Sequence, residues 1–140
     1  MAKLTIKDLM NIDREKLAAV PTKEVVAKRL SEMLGEKSTV TIKALSGNQY
    51  MDLIATARNK KNDLDMSKMF KAQSLIVVEG VIEPSLKDAE LQKHFGAASP
   101  VDLAQALFPG GELIEVFNEI AALSGFVEDE GDSLEDEIKN

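Results

Sequence analysis

The chain has 140 residues, enough for one domain to bury a core without staples, and its lack of cysteine excludes a disulfide framework and a thiolate zinc site. Its net charge of −7 is unevenly placed: residues 128–140 carry seven acids against Lys139, or −6, leaving 17 acids and 16 bases, or −1, on the rest. Nothing here would release counterions from phosphate, and the longest apolar run, Leu75 to Val78, cannot cross a bilayer, so no nucleic acid and no membrane partner is expected of this soluble, intracellular protein.

Residues 1–21 read as an N-terminal segment that is partly helical. Leu4, Leu9, Ile12 and Leu17 are scattered among charges, Thr5 is placed to cap a short helix from Ile6, and Pro21 interrupts. From about 23 to 45 the pattern predicts a β-hairpin. In the second strand Val40, Ile42 and Ala44 alternate with Thr41 and Lys43. The first strand is expected within about 23–33, with Gly35 to Lys37 as the turn. Val25, Val26, Leu30, Met33 and Leu34 fit a helix face equally well, so a helix stays open as the alternative there.

Helical patterning follows. Ser46 or Asn48 caps a helix over about 47–59 that carries Tyr50, Met51, Leu53, Ile54 and Ala57. The basic cluster Arg58, Lys60 and Lys61 reads as its solvated end, where cations suit the dipole. Asp65 caps a helix over about 66–82, apolar on most sides and therefore central; a buried strand at Leu75–Val78 competes with it. Ser85 with Asp88 three residues on reads as a capping box for a helix over about 86–95. Ser99 and Pro100 open the next, over about 100–108. Pro109-Gly110-Gly111 ends it, one of the two glycines being expected at a positive φ. A last helix over about 111–124 carries Leu113, Phe117, Ile120 and Ala121 on one face, with Gly125 as its left-handed cap and Phe126 as the apolar contact beyond it. Residues 22–126 are thus expected to form one mainly α unit with a small hairpin, an α+β class, and 127–140 a disordered acidic tail that solvates the chain or meets a basic partner.

Residues that do covalent chemistry are scarce. The single histidine, His94, stands at a helix end with no cysteine to pair with, and no G-x-S-x-G elbow or phosphate-binding loop is present. Capping accounts for Asp65 and Asp88 in the acid pairs Asp63/Asp65 and Asp88/Glu90. The tail fails as a calcium loop, because aligning Gly131 with the required glycine puts Phe126 where the first carboxylate must stand. No catalytic residue, metal or cofactor is expected.

The stretch "SLKDAELQKHFGAASPVDLAQALFPGGELIEVFNEIAALSGF", followed by an acidic end, resembles the C-terminal part of XkdN-like phage tail assembly chaperones. Three motifs carry the likeness. They are "LKDAELQ" (Lys87, Asp88, Leu91, Gln92), the "LFPGGE" turn (Pro109, Gly110, Gly111, Glu112) and the closing "GF" (Gly125, Phe126). The second glycine after Pro109 departs from the family pattern. The resemblance implies a non-enzymatic assembly factor of contractile-tailed phages and prophages. Such a factor binds the tape measure protein, keeps it soluble and helps the tail tube protein polymerise around it. It works in the bacterial cytoplasm and is not retained in the mature particle. Self-association is compatible with that role. Met66, Met69 and Leu107 are the candidate contacts for a partner helix, with ordinary core filling as the other reading. The rival function is a structural subunit of a phage tail or tail-like particle.

Overall fold

In a computed structural model, which describes residues 2–126, the sheet grows from the alternation around Ile42. Strand β2 (Thr39–Lys43) buries Val40 and Ile42 and turns Thr39, Thr41 and Lys43 toward the other face. Strand β1 (Thr22–Val26) pairs with it antiparallel along its whole length, from Thr22 opposite Lys43 to Val26 opposite Thr39.

The two strands of the expected hairpin are therefore present, but no tight turn joins them. The stretch 28–34 is the helix α3 (Lys28–Leu34), so both readings of residues 23–33 hold in part. The β-branched pair Val25–Val26 ends the strand, and the following Lys-Arg-Leu-Ser-Glu-Met-Leu consists mostly of good helix formers. Gly35 closes the helix instead of making a hairpin turn. Ser31 ties the return together: its hydroxyl donates to Ala27 C=O (2.6 Å) and accepts from Ser38 N–H (2.8 Å).

A third strand lies where the central helix was expected to continue. Helix α5 (Met66–Gly80) stops at Gly80, and β3 (Val81–Glu83) leaves it to pair antiparallel with β2, giving the order β1-β2-β3. Val81 and Ile82 are β-branched and Pro84 disfavours helical geometry at Glu83, so the chain extends and satisfies an edge that β2 would otherwise leave open.

The helices form a layer on the buried face of this sheet. Helix α4 (Gly47–Ala55) starts at Ser46, whose side chain accepts from Gln49 N–H. At the start of α5, the Asp65 carboxylate accepts from the Ser67 hydroxyl (2.6 Å) and the Ser67 N–H (2.9 Å), and these bonds hold its pKa below the ordinary value. Helix α5 packs against α4 and against α7 (Pro100–Leu107) and α8 (Gly111–Leu123). Ile76, Val77, Leu103, Ala104, Leu113 and Ile120 fill the space between them. One polar group is buried among them, Ser74; its hydroxyl donates to Phe70 C=O and accepts from Gln105 Nε2 at 3.0 Å, joining α5 to α7.

The box expected at Ser85 is not the start of a helix. Helix α6 (Ala89–His94) begins three residues later than expected, and Asp88 itself is its cap, accepting from Leu91 N–H at 2.8 Å. Leu86 has swung into the core, and Ser85 accepts from Lys87 N–H in a local turn. Before the sheet, α1 (Ile6–Met10) and α2 (Arg14–Ala18) are short; Thr5 and Asp8 form a reciprocal capping box, and neither helix buries a residue. The fold is mainly helical with a three-stranded antiparallel sheet. The acidic tail expected at 127–140 lies outside the described residues.

Candidate functional site

The motif residues make packing, capping and turn contacts. Lys87 Nζ lies 2.7 Å from Glu79 Oε2 of α5, Asp88 caps α6, Leu91 packs on the core, and Gln92 Nε2 donates to Leu86 C=O. In the turn between α7 and α8, Phe108 is fully buried and Pro109 and Gly110 are exposed. Gly110 has φ 56 and ψ −120, and Glu112 N–H donates to Pro109 C=O at 3.2 Å. Those values describe the first central position of a type II′ turn, which only glycine occupies without strain. Glu112 then reaches across to α3, whose N-terminus has no side-chain cap of its own, and accepts from Arg29 N–H at 3.3 Å. Arg29 in turn donates to Ala106 C=O, so this turn locks α3 onto the α7–α8 corner.

At the far end of α8, Gly125 N–H donates to Ala122 C=O and Phe126 N–H to Ala121 C=O, with Gly125 at φ 86. This double bond pattern is a Schellman cap. It delivers the Phe126 ring onto Tyr50, centroids 4.1 Å apart and planes 7° apart, and Tyr50 also stacks on Phe117 at 6.3 Å. Burial pushes the Tyr50 phenol above its ordinary value of 10.0. The unfolded chain therefore ionises first as pH rises and binds fewer protons than the native state, so stability must fall above about pH 10. Urea midpoints measured across that range should decline less steeply for Tyr50→Phe than for the parent chain. Equal slopes would show that Tyr50 ionises alike in both states.

His94 is exposed at the end of α6, edge-on to Phe95, beside an open depression lined by Pro84, Ser85, Asp88, Glu90 and Leu91. Among the described residues no group of three or more His, Cys, Asp or Glu side chains is placed to hold a metal ion, and no helix is long and apolar enough to cross a membrane.

The three candidate contact residues do not form one surface. Met66 is 79% exposed at the start of α5, Met69 is half-buried one turn on, and Leu107 belongs to the core. The apolar surface that is open lies elsewhere. Of the seventeen exposed large apolar residues among those described, ten precede residue 35, and seven of those (Leu4, Ile6, Leu9, Met10, Ile12, Leu17 and Val20) lie in the N-terminal arm. In the sequence Leu4, Leu9, Ile12 and Leu17 stand scattered among charges. The available signal was Ile6, Leu9 and Met10 at i, i+3 and i+4, an apolar face on a helix too short to stand alone.

The sequence pattern of the phage XkdN-like tail assembly chaperone proteins matches residues 6–139. The chain belongs to the XkdN-like phage tail assembly chaperone family. Among similar proteins, the phage-like element PBSX protein XkdN of Bacillus subtilis is 29% identical over 119 residues, spanning 84% of this chain and 70% of that protein. YqbN of the same organism is 28% identical over 119 residues, with 84% and 69% covered. The crystal structure of YqbN superimposes with a TM-score of 0.58 over 77% of this chain and 87% of that one; at 24% identity the likeness concerns the fold. In this XkdN-like chain the "LKDAELQ", "LFPGGE" and "GF" motifs make the contacts described above, all of them within the domain.

Proposed function

We propose that this tail assembly chaperone binds an amphipathic helical segment of the tape measure protein, keeps it from aggregating, and assists assembly of the tail tube without catalysing a reaction. The observation that carries this reading, within the family, is the concentration of exposed apolar side chains along residues 4–34. Isolated exposed apolar residues need no explanation, but a run of this density on helices of five residues is suited to order against an apolar partner. Such a partner is a helix that would otherwise expose its own apolar face. The tail, carrying −6, contributes steering and solubility, because exposed charge attractions are screened beyond about 8–10 Å at ordinary salt whereas buried apolar contact is not.

The test is co-expression of the tape measure protein with the full chain, with Leu9→Asp/Leu17→Asp, and with residues 128–140 deleted, followed by pull-down at low and high salt. The full chain should solubilise and retain the tape measure protein. The arm substitutions should reduce retention by roughly tenfold or more, since each removes an apolar contact worth on the order of 1 kcal/mol. Deleting the tail should slow association and flatten its salt dependence while leaving most of the binding intact. If the full chain neither solubilises nor retains the tape measure protein at low salt, the reading is wrong. If only the tail deletion abolishes retention, under both salt conditions, the tail is the binding element. A chaperone acting in the host cytoplasm should also be depleted from purified particles, where a structural subunit would be stoichiometric.

A further inference from the structure

Strand β1 is an edge of the sheet. Ala27 N–H donates to Ser38 C=O and Ala44 N–H to Pro21 C=O, so the odd-numbered positions face β2. The alternation of an antiparallel ladder turns the N–H and C=O of Thr22, Glu24 and Val26 outward, and all three residues are exposed. An open edge of this kind accepts another strand unless something covers it.

A second copy of the chain presents the same edge, and the register is selective. Pairing centred on Glu24 would set two carboxylates directly opposite one another, which is destabilising. Pairing centred on Val25 avoids this: Glu24 faces Val26 of the second copy, and both are outward-directed residues that exchange hydrogen bonds. In the same register Thr22 comes opposite Lys28 of the second copy, so the chain preceding β1 emerges where α3 of that copy begins, a helix whose Met33 and Leu34 are 64% and 68% exposed. The apolar arm thus arrives at an apolar surface. The arm is also nearly neutral, with Lys3, Lys7, Arg14 and Lys16 against Asp8, Asp13 and Glu15, so two arms do not repel. Seven large apolar side chains present on the order of 700 Å² per arm, close to the roughly 800 Å² per partner of a standard protein interface.

We propose that two copies of this chain associate about a two-fold axis at Val25, β1 edge against β1 edge, with the N-terminal arm of each covering Met33 and Leu34 of the other. The dimer shelters the same arm that the client reading uses, but it rests on nothing about the client. It is therefore tested without one, and its failure leaves that reading standing.

Sedimentation of the full chain from about 1 to 100 μM, a range that brackets micromolar dissociation constants, should show a monomer converting to a dimer. Glu24→Pro removes an outward N–H and leaves the ladder to β2 intact, and Ile6→Asp/Leu9→Asp charges the arm without touching the core. Each should weaken association by roughly tenfold or more with little change in melting temperature. Amide exchange in the unaltered chain supplies a measurement free of any variant: Glu24 and Val26 should exchange more slowly as concentration rises. A chain that stays monomeric, variants that associate as tightly as the parent, or Glu24 and Val26 amides indifferent to concentration would each overturn the proposal.

Discussion

Gly80→Ala is expected to destabilise the domain by about 2–3 kcal/mol, a large effect for one methyl group. Gly80 is the last residue of α5, where the chain leaves the helix layer to become β3. A Cβ built there would stand 2.5 Å from Ile120 Cδ1 and 2.9 Å from both its Cγ atoms. Ile120 has no exposed surface and sits in the core, so it cannot swing aside without disturbing its neighbours. Helix propensity runs the other way, since alanine is the better helix former by about 1 kcal/mol; the clash should win because three atoms are involved, all on one buried side chain. A double-mutant cycle isolates the contact. Ile120→Ala alone should cost about 2–5 kcal/mol by leaving a cavity, and the double variant should be more stable than the sum of the two by roughly 1–2 kcal/mol. Simple additivity in chemical denaturation would show that Gly80 is not held by this contact. Gly47→Ala is the matching control: its Cβ would lie 3.9 Å from Phe126 Cζ, an ordinary contact, and little change is expected.

Gly110→Val should cost about 1–3 kcal/mol through backbone strain alone, since nothing lies within 4 Å of a Cβ at that position. The cost comes from φ 56 with ψ −120, a combination that side chains bearing a Cβ avoid. Gly111 stands next to it as an internal comparison. It is the first residue of α8, has no positive φ and no atom near its Cβ, so Gly111→Ala should change stability by less than about 1 kcal/mol, in the stabilising direction. Thermal melts of the two variants side by side test the assignment. Equal melting temperatures would mean that the turn is a loose linker and that Glu112 reaches Arg29 by another route.

What was legible beforehand follows the range of the interaction that decides it. Ser46, Asp65 and Ser99 cap helices because a side-chain oxygen meets an N–H two or three residues ahead, within a window any reader of the chain can inspect. The alternation around Ile42 and the Gly125–Phe126 end of α8 are local in the same sense. Ser85 misled because two overlapping start signals were available, and the burial of Leu86 placed the cap at Asp88. Leu107 carried two readings, partner contact and core filling, and it lies in the core cluster; helical spacing marks a face as apolar without saying what covers it.

The XkdN-like sequence by itself determined four of its helix starts, at Thr5, Ser46, Asp65 and Ser99, and that among the described residues helices outnumber strands. Those properties are written in residue types and in spacings of a few positions. The tertiary structure alone decided that α3 interrupts the two strands, that Val81–Glu83 leaves a helix to join Thr41 and Ile42 some forty positions earlier, and that Gly110 rather than Gly111 carries the turn. It alone separated the apolar residues that fill the core from those of the arm, which look the same in the chain. Burial is a property of what a surface meets, and those meetings are made between residues far apart in sequence, where packing and edge pairing outweigh local propensity.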